Sequence, residues 1–242
     1  MAENRASACT EGVPCWVDAQ LPDVAAGERF YGGLFGWTFA AKEAYGGSVV
    51  ALLDGEPVAA LTPKSDGRMP TVWTVYFATP DARALAGRIQ GQGGQAVGGA
   101  RRIGPYGTAA LAADPQGAVF GLWEPGRHAG FGRRHRPGAF GWAQLYTRDT
   151  ESADAFYSGL FHEALFGGPS RPDFGRAPVA DVFPAQMPPH FLVHFEVAET
   201  GAALDAVGRL GGRVQVSPFE TSYGTVAVVV DNQGASFAVL ER

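Results

Sequence analysis

Short apolar runs alternate with polar residues along most of the chain, interrupted by longer stretches in which apolar residues recur at helical spacing. "PCWVDAQ" (14–20) alternates with period two and predicts a strand. Asp23 then stands at a helix N-cap position, and Ala25, Ala26, Phe30 and Leu34 supply one buried helical face. "GWTFAAK", "GSVVALL" and "PVAALTP" are apolar runs bounded by Gly, Pro or Asp, which predicts three strands. The order β-α-β-β-β then returns: "VWTVYFAT" as strand, "DARALAGRIQGQGG" as a helix ending in glycines, and "ARRIG", "GTAALAAD" and "AVFGLWE" as strands.

The pattern also repeats on a larger scale. "PDVAAGERFYGGLFGW" (22–37) reappears as "RDTESADAFYSGLFHE" (148–163), and "PYGTAALAADPQGAVFGL" (105–122) as "SYGTVAVVVDNQGASFAV" (222–239). The chain is therefore a tandem duplication, and each copy holds two βαβββ modules, an α+β fold with four modules in all. The expected boundaries are an N-terminal tail at 1–11, a first domain at 12–124, a linker at 125–138 ("PGRHAGFGRRHRPG") and a second domain at 139–242.

Composition narrows the partner. Hydrophobic residues make up 46% of the 242 positions, enough for a substantial core, and the formal charge of −5 offers no general attraction to nucleic acid or anionic membrane. A small molecule is the expected partner, with no nucleic acid and no membrane, and a homodimer is left open. Only Cys9 and Cys15 are present, without a cleavable leader or a spanning apolar run, so a reducing cytoplasm is expected.

"DVAAGERFYGGLFGW" after the first strand and "DPQGAVFGL" in the last strand of the copy resemble the vicinal oxygen chelate superfamily, which includes glyoxalase I, extradiol dioxygenases and bleomycin-resistance proteins. The likeness covers roughly residues 12 to 241. More narrowly, "GVPCWVDAQLPD" and "DPQGAVFGLWEPGRHAG" are similar to two-domain actinobacterial proteins described as hydroxylase- or glyoxalase-like. The resemblance implies that each pair of modules curls into a cupped sheet with four inward ligand positions, which fall here on Trp16, Ala60, Thr74 and Gly121, and on Trp142, Asp181, Leu192 and Ala238. A divalent ion needs convergent lone-pair donors, and indole, Gly, Ala and Leu side chains supply none. The expectation is a protein with no metal and no cofactor.

Residues two apart along a strand share its inward face. The first cup is then lined by Trp16, Asp18, Ala60 and Thr62, with Thr74, Tyr76, Gly121 and Trp123 opposite. The second is lined by Trp142, Gln144, Tyr146 and Asp181, with Phe183, Leu192, His194, Glu196 and Ala238. Small residues at the ligand positions are expected to leave volume for a planar or polycyclic ligand, held by Trp16, Tyr76, Trp123, Trp142, Gln144, Tyr146, Phe183 and Glu196. Alternatively the tryptophans plug the cups.

The candidate catalytic residues are Asp181, His194 and Asp18. His194, with Glu196 beside it and Asp181 on a neighbouring strand, has the makings of an oriented imidazole; a satisfied core histidine is the alternative. Asp181 replaces Ala60 of the first copy and serves either as a general acid or as a partner of Arg176. Asp18 is either an acid–base group or a structural carboxylate. Tyr106 and Tyr223 occupy matching "YGT" turns, either closing a cup or anchoring the turn. Two functions stand: a metal-independent enzyme of secondary metabolism that dehydrates, cyclises or isomerises an aromatic or polyketide-like molecule, and a binding protein that sequesters one. A metal-dependent glyoxalase or dioxygenase is the third.

Overall fold

The computed structural model describes residues 10–40, 47–64, 66–67, 70–162, 165 and 173–242. The first module runs β1 (Pro14–Leu21), α1 (Val24–Phe35), β2 (Thr38–Phe39), β3 (Val49–Leu53) and β4 (Glu56–Pro63). Asp23 caps α1 as its position predicts, its Oδ1 accepting from the Ala26 N–H at 3.0 Å, and Gly36 ends the helix in the left-handed region with φ 72°. The second module is β5 (Val72–Ala78), α2 (Ala82–Gly91), β6 (Gln95–Ile103), β7 (Gly107–Ala113) and β8 (Val119–Pro125). The second copy supplies β9 (Phe140–Thr147), α3 (Thr150–His162) and β10 (Phe174–Pro178), then β11 (His190–Glu196), α4 (Thr200–Arg209), β12 (Arg213–Thr221), β13 (Gly224–Val230) and β14 (Ser236–Glu241).

One reading fails. "PVADVFP" does not form a strand carrying Asp181 inward; Val179–Asp181 is a 3-10 turn, and Asp181 is exposed. Pro178 and Pro184 bracket the run, each lacking the N–H that a sheet ladder needs, so the segment turns away instead of pairing. Residues 1–9 of the expected tail, Cys9 among them, and the Ala41–Lys42 end of "GWTFAAK" lie outside the described residues.

The sheets follow the copies. One has strand order β2-β3-β4-β1-β5-β8-β7-β6 and the other β10-β9-β11-β14-β13-β12. In each complete module the last strand returns parallel to the first: Asp18 lies opposite Ala60, Tyr76 opposite Gly121, and His194 opposite Ala238. The helix crossover makes that parallel pairing possible.

Compactness divides the chain differently, because each unit draws on both copies. One unit comprises Met1–Trp16, Val75–Gly130 and Gln144–Phe191; the other comprises Val17–Thr74, Phe131–Ala143 and Leu192–Arg242. In the second unit the buried Tyr31 hydroxyl donates to Asp231 Oδ2 at 2.8 Å and accepts from Trp73 Nε1 at 2.9 Å, among the rings of Phe35, Trp37, Phe195 and Phe237. Burial and the Asp231 carboxylate push the Tyr31 hydroxyl well above its ordinary pKa. The first unit contains the counterpart: Tyr157 donates to Asp114 Oδ2 at 3.2 Å, next to Phe120, Phe161 and Phe191. In both units the tyrosine comes from the "FY" helix of one copy and the aspartate from the "D-x-Q-G" turn of the other. Among the described residues no helix is long and apolar enough to cross a membrane.

Candidate functional site

Strand alternation sorts β1 into two faces. Cys15, Val17, Ala19 and Leu21 are at most 1% exposed and form the core side, so Cys15 is the buried thiol its position predicts. Trp16, Asp18 and Gln20 lie on the other side, where a ligand would be met.

Within the first unit the volume expected at Gly121 is already taken. Tyr76 lies over it so closely that a Cβ at Gly121 would meet Tyr76 Cδ1 at 2.1 Å. The linker closes the rest: the His128 imidazole packs edge-on against Trp16 at 4.3 Å between centroids and lies 5.5 Å from Trp123, whose Nε1 donates to the His128 carbonyl at 2.9 Å. Burial alone pushes the His128 pKa down to about 4, so the ring is neutral. The plug was missed in the sequence because His128 lies in a Gly- and Arg-rich stretch that reads as a spacer. In the second unit, Asp18 is half-buried opposite Ala60, the Thr62 hydroxyl donates to Ser48 Oγ at 3.0 Å, and Thr74 is buried.

The second copy gathers a different set, and all of these residues belong to the second unit. Trp142, half-buried on β9, stacks on Tyr223 with centroids 5.2 Å apart and planes 28° from parallel. Tyr223 in turn presents its ring edge-on to His194 at 6.3 Å. His194 is 0% exposed. Its Nδ1 lies 3.1 Å from the Leu192 carbonyl, an obligate acceptor, which assigns the proton to Nδ1 and leaves Nε2 with a lone pair. That Nε2 is buried and has no hydrogen-bond partner among the described residues. Burial, helped by the nearby Arg242 guanidinium, pushes the His194 pKa down to about 4.

The expected orientation of His194 by Glu196 and Asp181 is not what the structure shows. Glu196 Oε1 is engaged by Arg242 Nε at 3.1 Å, with His135 Nδ1 at 3.8 Å, and Arg242 also donates to the Gly141 carbonyl at 3.0 Å. Asp181 stands in its exposed turn, and Arg176 pairs with Asp154 instead of Asp181. The backbone of β11 does the orienting. Leu192 and Ala238, at two of the positions where the resemblance implies ligands, are both buried. Arg242 was not picked out from the sequence; a lone terminal arginine carries no pattern.

In the first unit Tyr146 and Phe183 form a separate aromatic group with His190: Tyr146 and Phe183 meet edge-on at 4.9 Å, and His190 lies 5.6 Å and 5.1 Å from them. His190 Nδ1 approaches the Pro188 carbonyl at 2.9 Å, and burial lowers its pKa. Gln144 is buried on the same strand as Tyr146.

The donor chemistry does not fit a divalent ion. Trp16, Ala60, Gly121, Trp142, Leu192 and Ala238 have no side-chain lone pair suited to a cation, and Asp181 points from an exposed turn. Among the described residues no group of three or more His, Cys, Asp or Glu is placed to hold a metal.

Comparison with known proteins gives consistent results. A family model for the Glyoxalase/Bleomycin resistance protein/Dioxygenase superfamily matches residues 16–122. The anthracycline biosynthesis protein DauV of Streptomyces sp. (strain C5) is 34% identical over 95% of this chain and 93% of its own. The protein CFP32 of Mycobacterium tuberculosis (strain CDC 1551 / Oshkosh), which bears a glyoxylase name, is 35% identical over 96% of this chain and 95% of its own. Among solved structures, the Mn(II)-bound glyoxalase from Novosphingobium aromaticivorans superposes with a TM-score of 0.64 at 14% identity, covering 96% of this chain and 82% of that one.

Proposed function

Because the chain belongs to the Glyoxalase/Bleomycin resistance protein/Dioxygenase superfamily, with an anthracycline biosynthesis protein among its relatives, we propose that it acts in secondary metabolism as a metal-independent enzyme on an aromatic or polyketide-like small molecule. The observation that carries this reading is His194: a neutral, buried imidazole with its tautomer fixed at Nδ1 and an unpartnered lone pair at Nε2. Such a lone pair, weakly basic with its pKa lowered to about 4, is a proton acceptor held out of water and suited to a ligand group made acidic by its own ring system. It takes a proton from an acidic C–H or O–H of the ligand and returns it at another atom, which is what dehydration, cyclisation and isomerisation require. The Leu192 carbonyl stabilises the imidazolium formed in between, and the Trp142 face orients the ring system being rearranged. Asp18 is the remaining acid candidate. Asp181, exposed in its turn, is given no role.

A competing reading is sequestration, favoured by the Trp142–Tyr223 stack, which needs only to bind. Incubating the chelator-treated protein with candidate aromatic intermediates, and following products by mass spectrometry, separates the two. Conversion that survives chelation and falls at least about 100-fold in His194→Gln is expected for a lost general base. Tight binding with no conversion would establish sequestration and overturn the enzyme.

A further inference from the structure

The lone pair of His194 is completely covered, so any ligand that uses it must first move something. The aromatic ring that meets His194 is Tyr223, on the turn between β12 and β13, with centroids 6.3 Å apart and planes 69° from parallel. Within the turn, the Thr221 hydroxyl donates to the Gly224 carbonyl at 2.6 Å, and the Tyr223 N–H donates to Thr221 Oγ1 at 3.3 Å. Gly224 adopts φ 139°, and a Cβ there would strike the Glu241 carbonyl at 2.2 Å, so the turn is built around a glycine. A half-buried tyrosine on a hairpin tip, lying flat on a tryptophan, has the size and plane of a phenolic ligand.

We propose that the Trp142–Tyr223 stack is the closed form of a binding site for a planar aromatic compound with a neutral hydroxyl, which displaces Tyr223 from Trp142 and donates a hydrogen bond to His194 Nε2. The proposal rests on the reading of His194 as the working group and adds the class of ligand and the residue that yields to it. Three features select that class. The Trp142 face accepts any flat ring, and stacking is tolerant of substitution. Nε2 requires a donor, because burial without a partner is costly and an ether or a bare hydrocarbon leaves it unmet. The Arg242 guanidinium, close enough to bear on both His194 and Tyr223, disfavours a cationic donor such as an ammonium and leaves the hydroxyl.

The test is a binding titration of the full-length protein with 2-naphthol and 2-methoxynaphthalene, which share a plane and differ in the donor. Naphthol is expected to bind about tenfold more tightly than its ether, the worth of one hydrogen bond to an otherwise unmet acceptor. The preference should vanish in His194→Phe and persist in part in His194→Gln, whose amide oxygen still accepts. Tyr223→Ala, which removes the competing ring, should tighten both probes several-fold. Equal affinity of the two probes for the unaltered protein overturns the proposal, and this needs no variant to fold. So does a naphthol preference that survives in folded His194→Phe, or weaker binding to Tyr223→Ala. A naphthol preference without turnover of any compound would leave the site standing and remove the enzyme; turnover without the preference would do the reverse.

Discussion

At the scale of the residue, His194 and His128 illustrate how burial sets chemistry. Both imidazoles have pKa values pushed down to about 4 from 6.5, and in both the first cause is desolvation of the cation. The folded chain therefore declines a proton that the unfolded chain accepts. Between pH 6.5 and 4 the unfolded state binds more protons, so stability falls on acidification, by about 1.4 kcal/mol per pH unit for each such histidine. Urea titrations of the parent and His128→Phe at pH 7, 6 and 5 should show a shallower loss in the variant, by roughly one proton's worth of slope. Asp114, raised by burial, contributes with the opposite sign and cancels in that comparison. Parallel curves would contradict a neutral His128. Residue identities could be read from the sequence and their partners could not. The alternation of "PCWVDAQ" put Trp16 and Cys15 on opposite faces correctly, but nothing in "PGRHAGFG" announces that an imidazole folds back between two indoles, since that contact depends on the path of the linker.

The scale of the element is where sequence reading was most informative and where it failed once. Asp23, Asp81 and Asp149 cap their helices through side-chain oxygens, while of the face expected at Ala25, Ala26, Phe30 and Leu34 only Phe30 is fully buried, and Gly27, Tyr31 and Phe35 take the other buried positions of α1. "PVADVFP" misled because its apolar alternation is that of a strand while its two prolines cannot enter a ladder. Asp181 was lost from the site with it. The repeated "FY" and "D-x-Q-G" motifs were recognised as a repeat, yet their meaning appears only in three dimensions, where Tyr31 meets Asp231 and Tyr157 meets Asp114. Each hydroxyl is buried, so removing one leaves a carboxylate oxygen unmet. Tyr31→Phe should cost about 1–3 kcal/mol by urea denaturation, and Tyr157→Phe less, because Tyr31 also accepts from Trp73 and its donated bond is shorter. A loss below about 0.5 kcal/mol in Tyr31→Phe would show that the pair is not holding its unit together.

At the scale of the whole molecule, duplication and exchange coexist. The sheets respect the two copies, while each compact unit is assembled from segments of both. That exchange was invisible to a reading by repeats, which finds similarity along the chain and says nothing of which helix packs against which turn. The family was legible from the repeated motifs; of the eight positions where the resemblance implies metal ligands, only Thr74 and Asp181 carry a side-chain oxygen, and the rest are Trp, Ala, Gly and Leu. The central proposal is that the chain works without a metal, with His194 as the reactive centre. The direct measurement is elemental analysis of the protein after incubation with Mn(II), Fe(II) and Zn(II) and exhaustive dialysis. A retained metal content far below one ion per chain is the predicted result. One tightly held ion per chain, removed only by chelation and taking binding or turnover with it, would contradict the account.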